Sequence, residues 1–485
     1  MNKRMSRALA CAATVAAVTA GLVGTAGTAS ANSGQEADFN GDGYRDVAVS
    51  APRAEVGGKS GAGAVVVHYG SANGLTKANR TVISQNSTGV PGSAEVDDAF
   101  GAMTAAGDFN GDGYTDLAVG APREDVSGDT DGGTAVIVWG SASGLSGGTT
   151  VADPRPANHD RFGKALAAAD FNGDGRHDLA VGSTSPVIDI HRGGFTKSGG
   201  TGGAYTVKAP IMGSGNGVIN LTPGDINNDG IADLVVDGFE TETEYGWNTN
   251  YYLPGSASGV TATGTAKLPA GVITDIGDIN HDGYGDIVIG LDFDADSGVP
   301  GASTGGKVNI VWGSASGPSG NYSTITQNSP GIPGGSEAGD AFGGELHLGD
   351  INGDGHLDLA VGAPGETLGG KKYTGAVTVV YGAAGGLNAE GAPAAQFFDQ
   401  ETAGVPGSGE TDDWFGSDVH LSDLNNDGKA DLTIGVAGEN GSNGALVALR
   451  SNGTKITTTG AVAVSASGAG LSTAGTPRFG INFAG

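Results

Sequence analysis

Residues 108–116 read Asp-Phe-Asn-Gly-Asp-Gly-Tyr-Thr-Asp and run directly into the apolar segment Leu117-Ala118-Val119. The pattern Asp-x-Asn-x-Asp-Gly-x-x-Asp occurs seven times in this chain of 485 residues. The seven copies begin at Asp38, Asp108, Asp170, Asp225, Asp278, Asp350 and Asp423. A long-period internal repeat is typical of proteins built from one recurring structural unit. The structure of a single unit therefore decides the fold.

Each unit contains the signals for about four β-strands. One short apolar strand follows the loop directly, and a second apolar run, such as 64–69 or 135–139, ends in a turn rich in Gly, Ser and Ala. A third strand fits after that turn. A further strand is predicted to start at a Phe-Gly pair eight residues before the next loop; the pairs are Phe100-Gly101, Phe162-Gly163, Phe342-Gly343 and Phe415-Gly416. Four-stranded units of about 60 residues indicate a β-propeller rather than a helical solenoid.

The first unit lacks a Phe-Gly strand of its own, and the missing piece lies at the other end of the chain. Phe479-Gly480 opens a segment, 479–485, that is similar to 100–107. We therefore predict an all-β fold, a seven-bladed β-propeller of four-stranded blades, closed by pairing of the C-terminal strand with the N-terminal blade. Such closure removes the open sheet edge that a linear array would expose.

The N-terminal residues 1–31 are predicted to be a secretory signal peptide, with the propeller over 32–485. A basic segment, 2–7, precedes an apolar stretch, 8–23, and Ala29-Ser30-Ala31 is a typical cleavage site. The single cysteine, Cys11, lies within this signal. No later segment approaches the ~18 consecutive apolar residues of a membrane span. The protein is expected to be secreted and extracellular, and to be monomeric.

The composition restricts the classes of partner. The chain has 53 acidic and 24 basic residues, a formal net charge of -29. This charge argues against binding to nucleic acid and against docking on anionic membranes. Gly and Pro are abundant, with 92 and 18 residues, but 38% of the chain is hydrophobic and falls in short β-branched runs, which indicates a folded core rather than disorder.

The seven loops present the ligands that Ca²⁺ prefers. Positions 1, 3, 5 and 9 offer only carboxylate or amide oxygens, position 7 adds a backbone carbonyl, and Gly at position 6 permits a sharp turn round an ion. The predicted cofactor is calcium, up to seven ions in a structural role, and Asp at position 9 is expected to be the bidentate ligand. The predicted metal ligands are Asp38, Asn40, Asp42, Tyr44, Asp46, Asp108, Asn110, Asp112, Tyr114, Asp116, Asp170, Asn172, Asp174, Arg176, Asp178, Asp225, Asn227, Asp229, Ile231, Asp233, Asp278, Asn280, Asp282, Tyr284, Asp286, Asp350, Asn352, Asp354, His356, Asp358, Asp423, Asn425, Asp427, Lys429 and Asp431.

The alternative interpretation is that these loops are plain Asx turns that bind no ion. Seven intact copies argue against it, because two carboxylates held ~4 Å apart repel by roughly 4 kcal/mol at an effective dielectric constant near 20. Without a cation such loops would splay or take up protons. Where position 4 is not Gly, it is Asn228, His281 or Asn426, residue types that tolerate a positive φ better than most.

Other recurring residues favour structural roles. An Asp stands two residues before four of the Phe-Gly pairs, and its recurrence favours a cap or an inter-blade hydrogen bond over a catalytic acid. An aromatic residue ends the second apolar run in several units and is predicted to pack. The segment 240–247, with Tyr251 and Tyr252, breaks the repeat; an irregular blade is favoured over a sugar- or peptide-binding surface. The Asp residues are Asp98, Asp160, Asp340 and Asp413, and the aromatic residues are Tyr69, Trp139, Trp312 and Tyr381.

Phe-Gly, the Asp-rich loop and a following Gly-Ala-Pro, as at 120–122 and 362–364, together resemble the FG-GAP repeats of the integrin alpha-chain propeller. The resemblance covers 38–485, although the fourth and fifth units lack both Phe-Gly and Gly-Ala-Pro. It implies a seven-bladed propeller, calcium in the loops, and a role in extracellular adhesion or in recognition of a protein or glycan partner.

Two other functions stay open at this point. Some FG-GAP proteins are phospholipases or polysaccharide-cleaving enzymes, so the alternative is a secreted polysaccharide lyase or hydrolase built on the same propeller. In the phospholipase type a separate domain carries out the reaction, and seven blades of about 65 residues leave no room for one here. The third possibility is a stable cell-surface or matrix component. No residue of the sequence is assigned a catalytic role.

Overall fold

The computed structural model describes residues 37–213, 216–243 and 246–485, so the predicted signal peptide lies outside the described residues. The described chain forms seven antiparallel four-stranded sheets, as predicted. One edge strand of each sheet contacts the equivalent edge strand of the next sheet, and these contacts continue round to the starting sheet. The fold is therefore a seven-bladed β-propeller with these edge strands at its centre.

The blades follow the order of the repeats. Blade 1 contains β1 (Val47–Ala51), β2 (Ala64–His68), β3 (Arg80–Ile83) and β30 (Phe483–Ala484). Blade 2 contains β4 (Met103–Gly107), β5 (Asp116–Ala121), β6 (Thr134–Trp139) and β7 (Ser146–Val151); blade 3 contains β8 (Ala165–Ala169), β9 (Asp178–Gly182), β10 (Val187–His191) and β11 (Ala204–Lys208). Blade 4 contains β12 (Val218–Gly224), β13 (Asp233–Phe239), β14 (Asn248–Leu253) and β15 (Ala266–Lys267); blade 5 contains β16 (Ile273–Gly277), β17 (Asp286–Leu291), β18 (Lys307–Val311) and β19 (Tyr322–Ile325).

The last two blades carry the small additions to the pattern. Blade 6 contains β20 (Glu345–Gly349), β21 (Asp358–Ala363), β22 (Ala376–Val380) and β25 (Gln396–Phe398), with a two-stranded hairpin of β23 (Gly382–Ala383) and β24 (Gly386–Leu387). Blade 7 contains β26 (Phe415–Ser422), β27 (Asp431–Val436), β28 (Ala445–Ser451) and β29 (Ile456–Ser465). Helical structure in the described residues is limited to a 3₁₀ turn (Pro156–Asn158) and α1 (Glu439–Ser442), and neither is long or apolar enough to cross a membrane.

The ring closes as the sequence predicts. In blade 1 the innermost strand is β30 from the C-terminal end of the chain, which pairs antiparallel with β1 through Ala48–Ala484 and Val49–Phe483. The Ser50 N–H donates to the Asn482 carbonyl at 2.9 Å and extends this pairing. The first blade therefore combines both ends of the propeller.

The predicted start of the inner strand at Phe-Gly is wrong by three residues in blades 2, 3 and 6, where the strand begins at Met103, Ala165 and Glu345. The reason is packing against the preceding blade. Phe100 is fully buried and packs with Val65 and Val67 of blade 1. Gly101 has a φ of 84°, and a Cβ there would lie 2.9 Å from the carbonyl oxygen of Ala64. The Phe-Gly pair is thus a bend that anchors one blade on its neighbour before the strand begins.

The recurring aromatic residues pack between blades, as predicted. Tyr69 is 5% exposed, and its Oη accepts a hydrogen bond from the Leu145 N–H of blade 2 at 3.1 Å. Tyr381 makes the same contact with the Ile456 N–H of blade 7 at 3.0 Å. A polar tip on an apolar ring lets one side chain fill the gap and satisfy a buried donor.

Candidate metal centres

In blades 2 to 7 the Asp-rich loop joins the innermost strand to the second strand, and in blade 1 it leads into β1, so all seven loops lie at the same end of the blades. Neighbouring loops touch through their backbones. The Asp38 carbonyl accepts the Thr115 N–H of the next loop at 3.1 Å, and the Asp350 carbonyl accepts the Ala430 N–H at 2.7 Å. The loops therefore form a ring on one face of the propeller.

Within a loop, the first three acceptor side chains bind the backbone of the turn. In the second loop, the Asp108 carboxylate accepts the N–H groups of Asp112 at 3.2 Å and Gly113 at 3.0 Å. The Asn110 Oδ1 accepts the Asp112 N–H at 2.8 Å, and the Asp112 Oδ1 accepts the Tyr114 N–H at 3.2 Å. The same contact from position 6 to the first Asp recurs in the other six loops. Positions 1, 3 and 5 are thus brought together by local hydrogen bonds.

The backbone of each loop requires the glycines that the sequence provides. Position 6 has a positive φ in all seven loops, for example 88° at Gly113. Where position 4 is not Gly, φ is also positive, at 57° for Asn228, 59° for His281 and 57° for Asn426. The expectation that these residues accept a left-handed conformation is confirmed. A β-branched residue at either position would be strained.

The Asp at position 9 is the buried member of each loop. Asp116 is fully buried, and its two oxygens accept different backbone donors: the Phe109 N–H at 3.1 Å and the Gly140 N–H at 2.8 Å. The first donor follows position 1 of the same loop, and the second belongs to the turn after the third strand. The second contact recurs at Asp46, Asp178, Asp233, Asp286, Asp358 and Asp431. This carboxylate fixes the loop to the blade.

Burial raises the pKa of Asp116 to about 7, although its two backbone hydrogen bonds lower it. The nearby charges of Asp112 and Asp108 raise this pKa further. The pKa is raised by the same causes to about 7 at Asp46, Asp233, Asp286, Asp358 and Asp431, and to about 6 at Asp178. Several carboxylates in one partly buried loop are therefore costly to ionise together unless a positive charge joins them.

The residues present fit a calcium ion. The side chains at positions 1, 3, 5 and 9 offer oxygen atoms as metal ligands, which disfavours soft metals. In the first loop the Asn40 amide donates to the Asp42 carboxylate at 3.0 Å, and in the third loop the Asn172 amide donates to Asp178 at 2.9 Å. These amide groups already lie against the carboxylates, and a rotated amide would offer its oxygen instead. At position 7 only the backbone carbonyl could bind calcium, because side chains such as Arg176 have no ligand chemistry for this ion.

The Asp two residues before Phe-Gly acts as a cap in three units, as predicted. Asp98 Oδ2 accepts the Glu95 N–H at 2.6 Å, and Asp340 and Asp413 accept the equivalent N–H at the same distance. Asp160 differs, because its side chain is exposed and the residue instead exchanges hydrogen bonds with Thr184. Recurrence of a residue type therefore indicated its role, but not in every blade.

Sequence reasoning missed a group of ionisable residues in the central channel. The inner strands of blades 5, 6 and 7 place Asp275, Glu345, His347, Asp418 and His420 on a cavity of about 180 Å³. The rings of His347 and His420 lie 4.4 Å apart, and Asp418 accepts the Phe483 N–H at 2.5 Å. These residues stand three or five positions before their loops. Aligning the units on the loops would have found them, because the inner strands of blades 2 and 3 carry small or apolar residues there.

A second cavity lies on the outer part of blades 4 and 5. It has a volume of about 460 Å³ and is lined by Trp247, Lys267, Lys307 and Tyr322, among others. Tyr322 is 55% exposed. Tyr251 and Tyr252 of the irregular segment are buried, so they pack as predicted, whereas Trp247 faces this cleft.

Comparison with known proteins identifies the class. The family model described as FG-GAP repeat matches residues 37–68, 100–138, 162–206, 342–380 and 415–449. The fourth and fifth blades are outside these matches, although their strands and loops are complete. The chain thus contains FG-GAP repeats in five of its seven blades, as the sequence predicted, and folds as a seven-bladed propeller.

The chain is similar to two groups of larger proteins. It is 36% identical over 148 residues to phosphatidylinositol-glycan-specific phospholipase D of Mus musculus. The aligned region covers 30% of this chain and 17% of that protein. It is 29% identical over 297 residues to integrin alpha-PS2 of Drosophila melanogaster. Here the aligned region covers 60% of this chain and 17% of that protein. The chain therefore spans less than a fifth of the length of these relatives.

Proposed function

We propose that this protein is a secreted, calcium-binding propeller that recognises an extracellular protein or glycan. The observation that carries the proposal is the repetition of one arrangement of carboxylate and amide oxygens in seven loops on one face. The similarity to integrin alpha chains supports a role in recognition. Calcium would be held by positions 1, 3, 5 and 9 with the position 7 carbonyl, and it would supply the positive charge that these acids lack.

Calcium in the loops would stabilise the fold. If each site had a dissociation constant of ~10⁻⁴ to 10⁻³ M, millimolar calcium would add roughly 0.4 to 1.4 kcal/mol of stability per loop. The purified protein should therefore melt at a lower temperature in EDTA, and added Ca²⁺ should restore the melting temperature better than Mg²⁺. An unchanged midpoint after verified metal removal would contradict structural calcium.

A single loop can be tested by counting ions. Asp112→Asn keeps an oxygen for the Tyr114 N–H but removes one carboxylate from the second loop. We expect this variant to bind one calcium ion fewer per chain, measured by elemental analysis after equilibrium dialysis. The exposed Glu390, which lies in no loop, gives the matched control Glu390→Gln with an unchanged count. Equal counts in the two variants would remove the second loop from the proposal.

The proposal that the protein is secreted depends on the predicted signal peptide, residues 1–31, and it needs a separate test. When the full chain is expressed in a secreting host, the protein in the medium should begin at Asn32. N-terminal sequencing measures this directly. Retention of the intact N-terminus inside the cell would contradict a secretory signal.

The cleft on blades 4 and 5 is the candidate recognition surface. Its volume lies in the range of about 300 to 1,000 Å³ that is usual for ligand pockets, and it combines the aromatic rings of Trp247 and Tyr322 with the ammonium groups of Lys267 and Lys307. Aromatic faces beside cations and polar groups suit glycans or acidic peptide segments. The other blades are not expected to repeat this combination of aromatic rings and ammonium groups, because the segment 240–247 departs from the repeat.

Binding should be tested on a glycan array and on immobilised extracellular matrix proteins, with calcium present. Tyr322→Ala should weaken any binding found, whereas Tyr373→Ala, which removes a similarly exposed ring in blade 6, should not. Loss of binding in both variants or in neither would exclude the cleft as the recognition surface.

The channel residues favour one alternative, a polysaccharide lyase or hydrolase, because paired acids could serve as proton donor and acceptor. The cavity there is about 180 Å³, smaller than most ligand pockets, and Asp275 and Asp418 already accept backbone hydrogen bonds. We therefore favour recognition. Release of reducing ends from acidic polysaccharides that is lost in Glu345→Gln would support the enzyme instead.

A further inference from the structure

Three junctions between blades carry the same four polar residues outside the calcium loops. A Gln, a Glu, an Asp and a second Glu follow one another at constant spacings of ten, three and 26 positions. The sets are Gln85, Glu95, Asp98 and Glu124; Gln327, Glu337, Asp340 and Glu366; and Gln400, Glu410, Asp413 and Glu439. In the last two sets, oxygens of the three acids all lie within 4.8 Å of one another.

These residues come from two blades. Gln327 follows the outermost strand β19 of blade 5, Glu337 and Asp340 lie in the connection, and Glu366 follows β21 of blade 6. The calcium loop precedes β21, whereas Glu366 follows it, so the cluster lies at the opposite end of the blade from the loop. Any ion held there would join adjacent blades on the face that the seven loops do not occupy.

The glutamine in each set supplies an independent observation. Gln327 and Gln400 are 2% and 5% exposed, and their Nε2 groups donate to Glu366 at 2.8 Å and to Glu439 at 2.7 Å. The terminal amide therefore lies directly against the acids. Its Oε1 is buried in both cases and has no hydrogen-bond partner among the described residues, and the same is true of Gln85.

A buried amide oxygen without a partner is costly, and so are three carboxylates whose oxygens lie within 4.8 Å of one another. Rotation of the amide by half a turn would exchange its nitrogen and oxygen and direct a fourth oxygen at the acids. Of the two Asp340 oxygens, Oδ2 accepts the Glu337 N–H. Four oxygens from four side chains are the ligand type of a hard divalent cation.

We propose that the clusters Glu337–Asp340–Glu366 and Glu410–Asp413–Glu439, with Gln327 and Gln400, are two further calcium sites that clamp blade 5 to blade 6 and blade 6 to blade 7. The proposal does not depend on calcium in the seven loops. The competing explanation is a proton shared between the acids, since burial raises the pKa of Glu366 to about 7. The two explanations predict different metal contents.

Asp340→Asn combined with Asp413→Asn is the decisive variant. Asn keeps the oxygen that caps the backbone and replaces the other oxygen by an amide nitrogen, which cannot bind calcium. Asp160→Asn is the matched control, because Asp160 occupies the same repeat position but has Ala157 and Pro186 where the clusters have glutamates. We expect the double variant to bind two calcium ions fewer per full-length chain, and the control to bind as many as the wild type.

Melting temperatures supply a second readout. In EDTA the double variant should melt no lower than the wild type, because it has lost two repelling charges. In millimolar calcium it should melt lower, because it has lost two ions. A shared proton would leave the metal content equal in all three proteins and would overturn the proposal.

If the double variant does not fold, crystals of the wild type grown with calcium decide the question. An anomalous peak is expected about 2.3 to 2.6 Å from oxygens of Asp340 and Glu366. Its absence, with peaks in the Asp-rich loops, would overturn the two clamp sites and leave the loop calcium intact. Variants of the loops, such as Asp112→Asn, change the ion count separately, so failure of either proposal can be distinguished.

Discussion

Val49 of the first blade pairs with Phe483 near the end of the chain, so the stability of this blade depends on a strand from the C-terminal region. Phe479 anchors that strand. It is fully buried, and its ring lies 6.3 Å from that of His68 in blade 1. The backbone of Phe479 also forms a bridge with Gly444 in blade 7. One phenylalanine thus joins the first and last blades.

Phe479→Ala should therefore destabilise the whole ring. Truncation of a buried Phe leaves a cavity and usually costs about 3 to 5 kcal/mol of unfolding free energy. Urea unfolding, followed by tryptophan fluorescence, measures the change. Val96→Ala is the control, because Val96 is 59% exposed and its truncation should change stability by less than about 0.5 kcal/mol. Similar midpoints for the two variants would show that the closure contributes little.

Because the Tyr69 hydroxyl accepts the Leu145 N–H, removal of this hydroxyl should lower the free energy of unfolding. Tyr69→Phe keeps the ring but leaves a buried donor without a partner, which should cost about 1 to 3 kcal/mol. Tyr322→Phe removes a hydroxyl from an exposed ring and should be neutral. Equilibrium unfolding of the two variants tests this, and a neutral Tyr69→Phe would mean that water replaces the hydroxyl.

The loops and the ring closure could be predicted from the sequence because each depends on local spacing. Asp108 and Gly113 are five residues apart, and their contact forms within one turn. The similarity of 479–485 to 100–107 likewise needs no three-dimensional information. Repetition then made each local inference stronger.

The channel residues and the start of the inner strands could not be predicted in the same way. Glu345 and Asp418 come from neighbouring blades, and only the curvature of the ring brings them to one cavity. Phe100 belongs to the repeat of blade 2 but packs on Val65 of blade 1, so the neighbouring blade decides where the strand begins. Contacts between blades follow from packing geometry that a single repeat does not encode.

At the third blade a partly buried ion pair takes the place of an acidic cluster. Arg155 donates from Nε to Asp189 Oδ1 at 2.8 Å and from Nη2 to Oδ2 at 2.6 Å, and Asp189 is fully buried. Removing one partner of such a pair leaves an uncompensated charge and usually costs about 3 to 5 kcal/mol. Arg155→Met should therefore unfold at lower urea concentration than the wild type.

The double variant Arg155→Met with Asp189→Leu provides the control, because it removes both charges. It should recover much of the lost stability, since replacing a buried pair by apolar residues is often neutral. If the single variant is as stable as the wild type, or if the double variant is the less stable of the two, the penalty of an unpaired Asp189 is not the cause.

The channel acids predict a dependence of stability on pH. Burial raises the pKa of Glu345 well above its ordinary value of 4.5, and the charges of Asp418 and Asp292 raise it further. Burial also raises the pKa of Asp418, beside the rings of His347 and His420. A carboxyl whose pKa is raised by folding favours the folded state most below its unfolded pKa. Its contribution is lost as the pH rises towards the folded pKa.

The contribution of Glu345 to wild-type stability should therefore fall as the pH rises above about 4.5, by roughly 1.4 kcal/mol for each unit of raised pKa. Glu345→Gln cannot ionise, so it should show a smaller fall and should be the more stable protein at pH 8. Urea unfolding from pH 5 to pH 8 at saturating calcium measures this and keeps the loops in one state. Parallel pH profiles for the two proteins would mean that Glu345 stays ionised in the channel, stabilised by a cation or by water, and that burial does not control its charge.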